Sequence, residues 1–144
     1  MAFERVYTVW DYYDGPRSGI ASFSGQPHHY DCEWSENKQD YGDTFVLTPI
    51  DQDTLALGME QWSIWREWED AFHRGEAPQS THPGLTGSHS RYAELDATLK
   101  ARIPTQSVQQ KRARGVFRAI PVQEDSPPGV MRELEVEWTD VEPR

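Results

Sequence analysis

The chain has 144 residues, a formal net charge of −10 at neutral pH and one cysteine. Six Trp, six Tyr and five Phe are more large apolar groups than a disordered chain carries, and the length suits one globular domain spanning residues 1–144. The acidic balance does not favour nucleic acid as a partner, and a single cysteine excludes an intrachain disulfide.

The first ten residues, MAFERVYTVW, carry charges early and have neither the pattern of a signal peptide nor that of a transit peptide. No apolar run in the sequence is long enough to cross a bilayer. We therefore expect a soluble, cytoplasmic protein that does not use a membrane.

Strands are predicted where β-branched and aromatic residues stand between turn-forming residues. Four such segments precede the helical region and two follow it. They cover residues 3–13, 19–23, 28–34, 44–50, 115–122 and 130–138.

The third segment, HHYDCEW, concentrates chemically active side chains, and strand geometry divides them between two faces. The predicted core row contains His28, Tyr30, Cys32 and Trp34. The predicted solvent row contains His29, Asp31 and Glu33. His28 and Cys32 would lie about 13 Å apart along a strand, too far for a base and its nucleophile.

The solvent row is a weak metal-site candidate, because imidazole and carboxylate groups at alternate strand positions can share an ion. Three ligands in a line rarely converge without a fourth from elsewhere, so an ordinary polar strand face is the favoured interpretation. We expect no metal and no cofactor.

Residues 53–74 and 90–103 have the apolar spacing of two helices, joined by an irregular loop over residues 76–89. The second half of the first helix has an apolar stripe opposite a polar face that includes Glu69. Its first half is apolar on a second side as well, through Leu55, Met59 and Trp62. That side needs a cover from this chain, a second subunit or a ligand.

Residues 104–114 are predicted to form a basic connector, and residues 139–144 a loose tail. Six of the fourteen basic residues lie between positions 100 and 118, with no acidic residue among them. Pairing with the acidic side of the last strand, through Glu133, Glu135 and Glu137, is favoured over binding of an external anion.

The element order β-β-β-β-α-α-β-β predicts an α+β fold. We expect an antiparallel sheet of about six strands with both helices packed on one face. The last two strands extend the sheet or close it into a partial barrel.

The turn after the first strand combines two tyrosines, an acid and an arginine. Turn chemistry accounts for much of it, and Tyr12, Tyr13, Asp14 and Arg17 are the candidate recognition residues. The leading hypothesis is a non-enzymatic binding domain that contacts a protein partner, or a second copy of itself, through the Leu55, Met59 and Trp62 side and nearby loops.

The alternative hypothesis is a small enzyme that has none of the common catalytic motifs. Arg17 and Asp14 would combine with a histidine acting as acid or base. The candidate histidines are His29, His82 and His89. A small-molecule ligand is compatible with either hypothesis.

Overall fold

A computed structural model of the chain describes residues 2–103, 110–121 and 130–141. These residues form six strands and two α-helices, with one short 3-10 helix, Gln79–Thr81, in the loop between the helices. The strands are β1 Glu4–Tyr12, β2 Pro16–Phe23, β3 Gln26–Ser35, β4 Asp40–Pro49, β5 Lys111–Ala119 and β6 Leu134–Asp140. The helices are α1 Gln52–His73 and α2 Ser90–Arg102.

The α+β class and the antiparallel sheet with two helices are confirmed. The strands pair in chain order and β6 returns to β1, so the sheet closes into a six-stranded antiparallel barrel. Closure removes the open edges that an antiparallel sheet would otherwise present. Neither α1 nor α2, the α-helices of the described residues, has a stretch both long and apolar enough to cross a membrane.

The barrel interior is a compact aromatic core. Tyr30 lies at its centre, with its ring centroid 5.6 Å from that of Phe117 and 5.9 Å from that of Phe45. The Tyr30 hydroxyl donates a hydrogen bond of 2.8 Å to the carbonyl of Thr8. The Trp138 indole nitrogen donates one of 2.9 Å to the carbonyl of Ser22. Each buried polar group of these two rings therefore has a partner.

Gly19 permits the tight contact between β1, β2 and β3. A Cβ atom at this position would lie 2.2 Å from the Thr8 carbonyl oxygen and 2.7 Å from the Tyr30 hydroxyl. No side chain fits in that space, so glycine is required by the close approach of the backbone.

The two-row assignment of HHYDCEW is right for Tyr30, Asp31 and Cys32. It is wrong for His29, which is half-buried, and for Trp34. Tyr30 and Cys32 belong to the barrel core. Trp34 is 47% exposed and packs edge-on against Tyr41, with centroids 5.1 Å apart. The β3–β4 register shifts between Cys32 and Trp34, and such an irregularity breaks the alternation on which the prediction rested.

The polar face predicted for α1 is also wrong at Glu69, which is 5% exposed. Its carboxylate accepts hydrogen bonds from Arg66, at 2.7 Å, and from the backbone N–H of Met131, at 2.9 Å. Burial raises the pKa of Glu69, while these two donors act in the opposite direction. The segment before β6 is thereby tied to α1.

The basic stretch differs from its predicted form, because β5 begins at Lys111 and so includes residues 111–114 of the expected connector. Arg118 pairs with Glu135 across β5 and β6, as expected, and Arg112 pairs with Glu33 of β3. Thr139 and Asp140 of the expected tail belong to β6. Residues 104–109 and 142–144 lie outside the described residues.

Candidate functional site

A cavity of about 710 Å³ lies between the outer wall of the barrel and the two helices. The barrel contributes Trp10, Asp11 and His29 to its lining. Helix α1 contributes Gln61, Trp62 and Trp65, and α2 contributes Tyr92, Asp96 and Leu99. Its size is within the range of small-molecule sites, and its mixture of aromatic rings and a few polar groups is typical of them. We call it the helix–barrel cavity.

The position of α1 follows from its cap and its only internal glycine. Asp51 precedes the helix and its carboxylate accepts a hydrogen bond of 2.7 Å from the Thr54 N–H. Gly58 then faces the barrel, where an added Cβ would lie 2.5 Å from Cδ1 of Ile20. The missing side chain therefore allows the helix axis to approach β2 closely.

Helix α2 is held against α1 by polar contacts between the two helices. The Arg91 guanidinium makes two hydrogen bonds, of 2.6 and 2.7 Å, to the carboxylate of Glu60. The Gln61 amide donates to Asp96 at 3.5 Å. The two helices are thereby fixed relative to each other, and the helix–barrel cavity lies between them and β1.

Five Trp and Tyr residues surround much of the cavity. They are Trp10, Tyr12, Trp62, Trp65 and Tyr92. The Trp62 and Trp65 rings stack with centroids 5.0 Å apart and planes 23° apart. The Trp10 ring lies 5.7 Å from the imidazole of His29. The wall is thus mostly rigid ring surface, which binds a ligand at little cost in side-chain entropy.

Trp10 also carries the one buried side-chain polar atom that lacks a hydrogen-bond partner within the described residues, its indole Nε1. The six-membered ring of this indole lies near α1, with Cζ2 3.9 Å from the place of a Gly58 Cβ. A buried donor left unpaired costs about 1–3 kcal/mol.

His29 is the most desolvated titratable group of the cavity wall. Burial lowers its pKa, and the neighbouring carboxylate of Asp31 opposes that effect. The helices cover His29, although its strand row was predicted to face solvent, whereas Asp31 is exposed. Burial raises the pKa of Asp31, His29 lowers it, and the charge of Asp11 raises it further.

Two carboxylates line the cavity, those of Asp11 and Asp96. Asp96 is paired with Lys100 at 2.8 Å, one turn along α2. Asp11 accepts a hydrogen bond of 3.2 Å from the Ser18 hydroxyl. The strand registers place Asp11 opposite Ser18 and Ser18 opposite Asp31, so two carboxylates flank one serine across β1, β2 and β3.

The loop over residues 76–89 borders the cavity through His82. The Trp68 indole nitrogen donates a hydrogen bond of 2.9 Å to the Thr81 hydroxyl, and the His82 ring lies 4.5 Å from that of Trp68. This part of the loop is therefore packed on α1. His89 caps α2, since its Nδ1 accepts from the Tyr92 N–H at 3.1 Å.

The candidate recognition turn lies apart from the histidines. Arg17 donates to the carbonyls of Tyr13, at 2.7 Å, and Asp14, at 2.9 Å, and its guanidinium lies 4.8 Å from the centre of the Tyr41 ring. Asp14 and Arg17 line a different, shallow pocket of about 390 Å³. Tyr12 borders both this pocket and the helix–barrel cavity, and Tyr13 is 67% exposed.

The second apolar side of α1 is partly covered by this chain. Met59 and Trp62 line a cavity of about 270 Å³ together with residues of β1 and of the segment that leads into β6. Leu55, Met59 and Trp62 are each half-buried. Trp62 thus separates two cavities and contributes to both.

The metal candidates are not gathered around a common point. His29 lines the cavity under the helices. Glu33 is instead paired with Arg112 of β5. Over residues 2–103, 110–121 and 130–141, no group of three or more His, Cys, Asp or Glu side chains could hold a metal ion.

His28 and Cys32 have separate surroundings. His28 Nδ1 lies 2.9 Å from the carbonyl of Gln26, and its ring packs on Phe23. The Cys32 thiol donates to the carbonyl of Gly42 at 3.3 Å, and burial raises its pKa. The thiol therefore has a structural position in the barrel core.

Sequence reasoning missed most of this cavity. Trp10 lies within a predicted strand and Tyr92 within a predicted helix, and Gln61, Asp96 and Lys100 carry no motif. The residues come from elements far apart in the chain, and only the packing of α1 and α2 against closed strands brings them together. Gln61 is buried within α1, and its polar side chain gives no sign of this in the sequence.

Comparison with known proteins found no matching family model, no similar curated protein and no similar solved structure.

Proposed function

We propose that this chain is a small-molecule-binding protein and that its ligand occupies the helix–barrel cavity. One observation carries the proposal: a cavity of about 710 Å³ is bounded by aromatic rings and by a few polar side chains. A cavity of that size and lining suits an organic molecule of modest size.

The polar groups fit recognition better than catalysis. Asp96 is engaged by Lys100 and Gln61, and the His29 ring packs on Trp10. The arginine of the enzyme hypothesis, Arg17, is engaged by backbone carbonyls of its own turn. Binding therefore requires only the groups already present, whereas the proposed acid–base site requires groups from two pockets.

The test is ligand-observed NMR with four small aromatic probes of different charge: indole, benzyl alcohol, benzenesulfonate and benzyltrimethylammonium. We expect saturation transfer to at least one probe. The blocking variant is Ile103→Trp, because Ile103 lines the cavity at the end of α2. The matched control is Leu85→Trp, at a residue that is 50% exposed and outside the lining.

The proposal requires that the signal disappear in Ile103→Trp and persist in Leu85→Trp, with both variants folded by circular dichroism. Binding that survives in both variants would place the probe elsewhere. Absence of transfer to all four probes at millimolar concentration would overturn the proposal.

A second candidate function is contact with a protein partner or with a second copy of this chain. It is favoured by the exposure of Tyr13, at 67%, beside Tyr12, at 60%. Light scattering on the parent and on Tyr13→Ser would measure the mass in solution and so detect self-association through these rings. A monomer at all concentrations would exclude the homodimer.

A further inference from the structure

The charge of the helix–barrel cavity narrows the class of ligand. Its lining contains the carboxylates of Asp11 and Asp96 and one ammonium group, Lys100. Lys100 is 77% exposed at its side chain and lies 2.8 Å from Asp96, so these two charges cancel. Within the described ranges, the Asp11 carboxylate accepts a side-chain hydrogen bond only from the Ser18 hydroxyl. No Lys or Arg of those ranges lies within salt-bridge distance of it. The uncancelled charge of the lining is therefore negative.

The neighbouring groups reinforce this negative charge. Asp31 stands on the far side of Ser18 from Asp11, on the same outer face of the barrel. His29 lies between the strands and the helices, and burial lowers its pKa, so it adds no opposing positive charge. The whole chain is also strongly acidic. An anionic ligand would find no free cation among the described lining residues.

The aromatic wall of the cavity also favours a positively charged ligand. The faces of Trp and Tyr rings bind cations, with Trp the strongest, and five such rings line the cavity. One of the lining rings already makes such a contact with a described residue, since the Arg66 guanidinium lies 5.8 Å from the centre of the Trp62 ring. Arg66 lines the smaller neighbouring cavity, and no Lys or Arg among the described residues that line the helix–barrel cavity makes such a contact.

We propose that the ligand of the helix–barrel cavity is an organic cation of the alkylated-ammonium class, with its charge against the aromatic rings near Asp11. This inference rests on the proposed function and specifies its ligand. A cavity of about 710 Å³ is far larger than a metal ion. A primary ammonium group is strongly hydrated and costs more to transfer from water to the cavity, whereas an alkylated one is weakly hydrated and suits ring faces.

The test compares three of the probes by isothermal titration at low ionic strength. Benzyltrimethylammonium is the cation, benzyl alcohol the neutral compound and benzenesulfonate the anion, and all share one phenyl ring. We expect the cation to bind about tenfold more tightly than benzyl alcohol, as ring–cation attraction allows, and more tightly still than the anion.

Two charge variants separate a local effect from the overall charge. Asp11→Asn should weaken binding of the cation severalfold and leave benzyl alcohol unchanged. Asp140→Asn changes the net charge equally, at an exposed residue outside the lining, and should leave both affinities unchanged. Melting temperatures of both variants confirm that the fold is retained.

The outcomes distinguish the two proposals. Benzyl alcohol or benzenesulfonate binding as tightly as the cation, with loss in Ile103→Trp, would overturn the cation class and leave the small-molecule function standing. Equal weakening by Asp11→Asn and Asp140→Asn would show attraction to the net charge alone and would also overturn it. Failure of every probe to bind would overturn both.

Discussion

Gly58→Ala tests whether α1 is positioned by its contact with the barrel. The added Cβ would lie 2.5 Å from Cδ1 of Ile20, 3.9 Å from its Cγ1 and 3.9 Å from Cζ2 of Trp10. Carbon atoms in contact are normally about 3.5–4.0 Å apart, so the first of these distances is a severe overlap. Ile20 has no exposed surface and cannot turn its side chain away freely.

Two effects of opposite sign determine the magnitude. Replacing glycine by alanine within a helix is intrinsically favourable by about 1 kcal/mol. Overpacking a filled site typically costs about 1–3 kcal/mol, and an overlap of this depth belongs at the upper end. We therefore expect a net loss of roughly 1–2 kcal/mol in the free energy of unfolding.

The measurement is urea unfolding followed by tryptophan fluorescence and circular dichroism, with the midpoint compared at constant slope. Ile20→Val removes the clashing atom and by itself costs about 0.5–1.5 kcal/mol. The double variant should be more stable than the sum of the two losses by roughly 1 kcal/mol, because the two residues are in contact. Ala56→Gly, at an exposed residue of the same helix, measures helix propensity alone.

If Gly58→Ala raised stability by the amount that Ala56→Gly lowers it, propensity alone would be acting at position 58. Additive losses in the double variant would lead to the same conclusion. Either result would refute the close packing of α1 on β2, and with it the geometry of the cavity.

Three other substitutions test separate features of the fold. Gly19→Ala should cost at least about 3 kcal/mol or prevent folding, because its Cβ would overlap the Thr8 carbonyl; expression yield and thermal melting report it. Because the pKa of His29 is lowered by folding, its contribution to stability is complete above pH 6.5 and is lost as the pH falls through the folded-state pKa. The urea midpoint should therefore fall less between pH 7 and pH 5 in His29→Asn than in the parent. Glu69→Ala should cost about 1.5–3 kcal/mol through loss of its charged hydrogen bonds, and Glu69→Gln, which keeps an acceptor for the Met131 N–H, should cost less in the same unfolding assay.

Strand and helix positions could be predicted from the sequence because they depend on local patterns. The predicted helix over residues 53–74 and the observed α1 differ by one residue at each end. Barrel closure could only be raised as an alternative, since it depends on pairing between β1 and β6, which stand at opposite ends of the chain. Trp34 was misplaced because no residue type near it signals the register shift after Cys32.

The fate of the second apolar side of α1 illustrates a different limit. Periodicity predicts that Met59 and Trp62 lie on a second apolar side of α1, but it cannot say what covers them, and in the structure the Trp62 ring stacks on that of Trp65. In the structure β1 and the segment before β6 provide part of the cover. Helical spacing reports which side is apolar, whereas the identity of the neighbour is a property of the tertiary fold.

Barrel closure explains why the two rows of β3 have such different roles. A closed barrel of six strands has an interior filled by one row of side chains, and here Tyr30 and Cys32 occupy it. The other row lies on the outer wall, where burial depends on what covers that wall. His29 is under the helices and Asp31, two residues further along the same row, is exposed. Alternation along β3 therefore separates inside from outside, but only the placement of α1 and α2 decides which outer residues belong to a binding cavity and which face water.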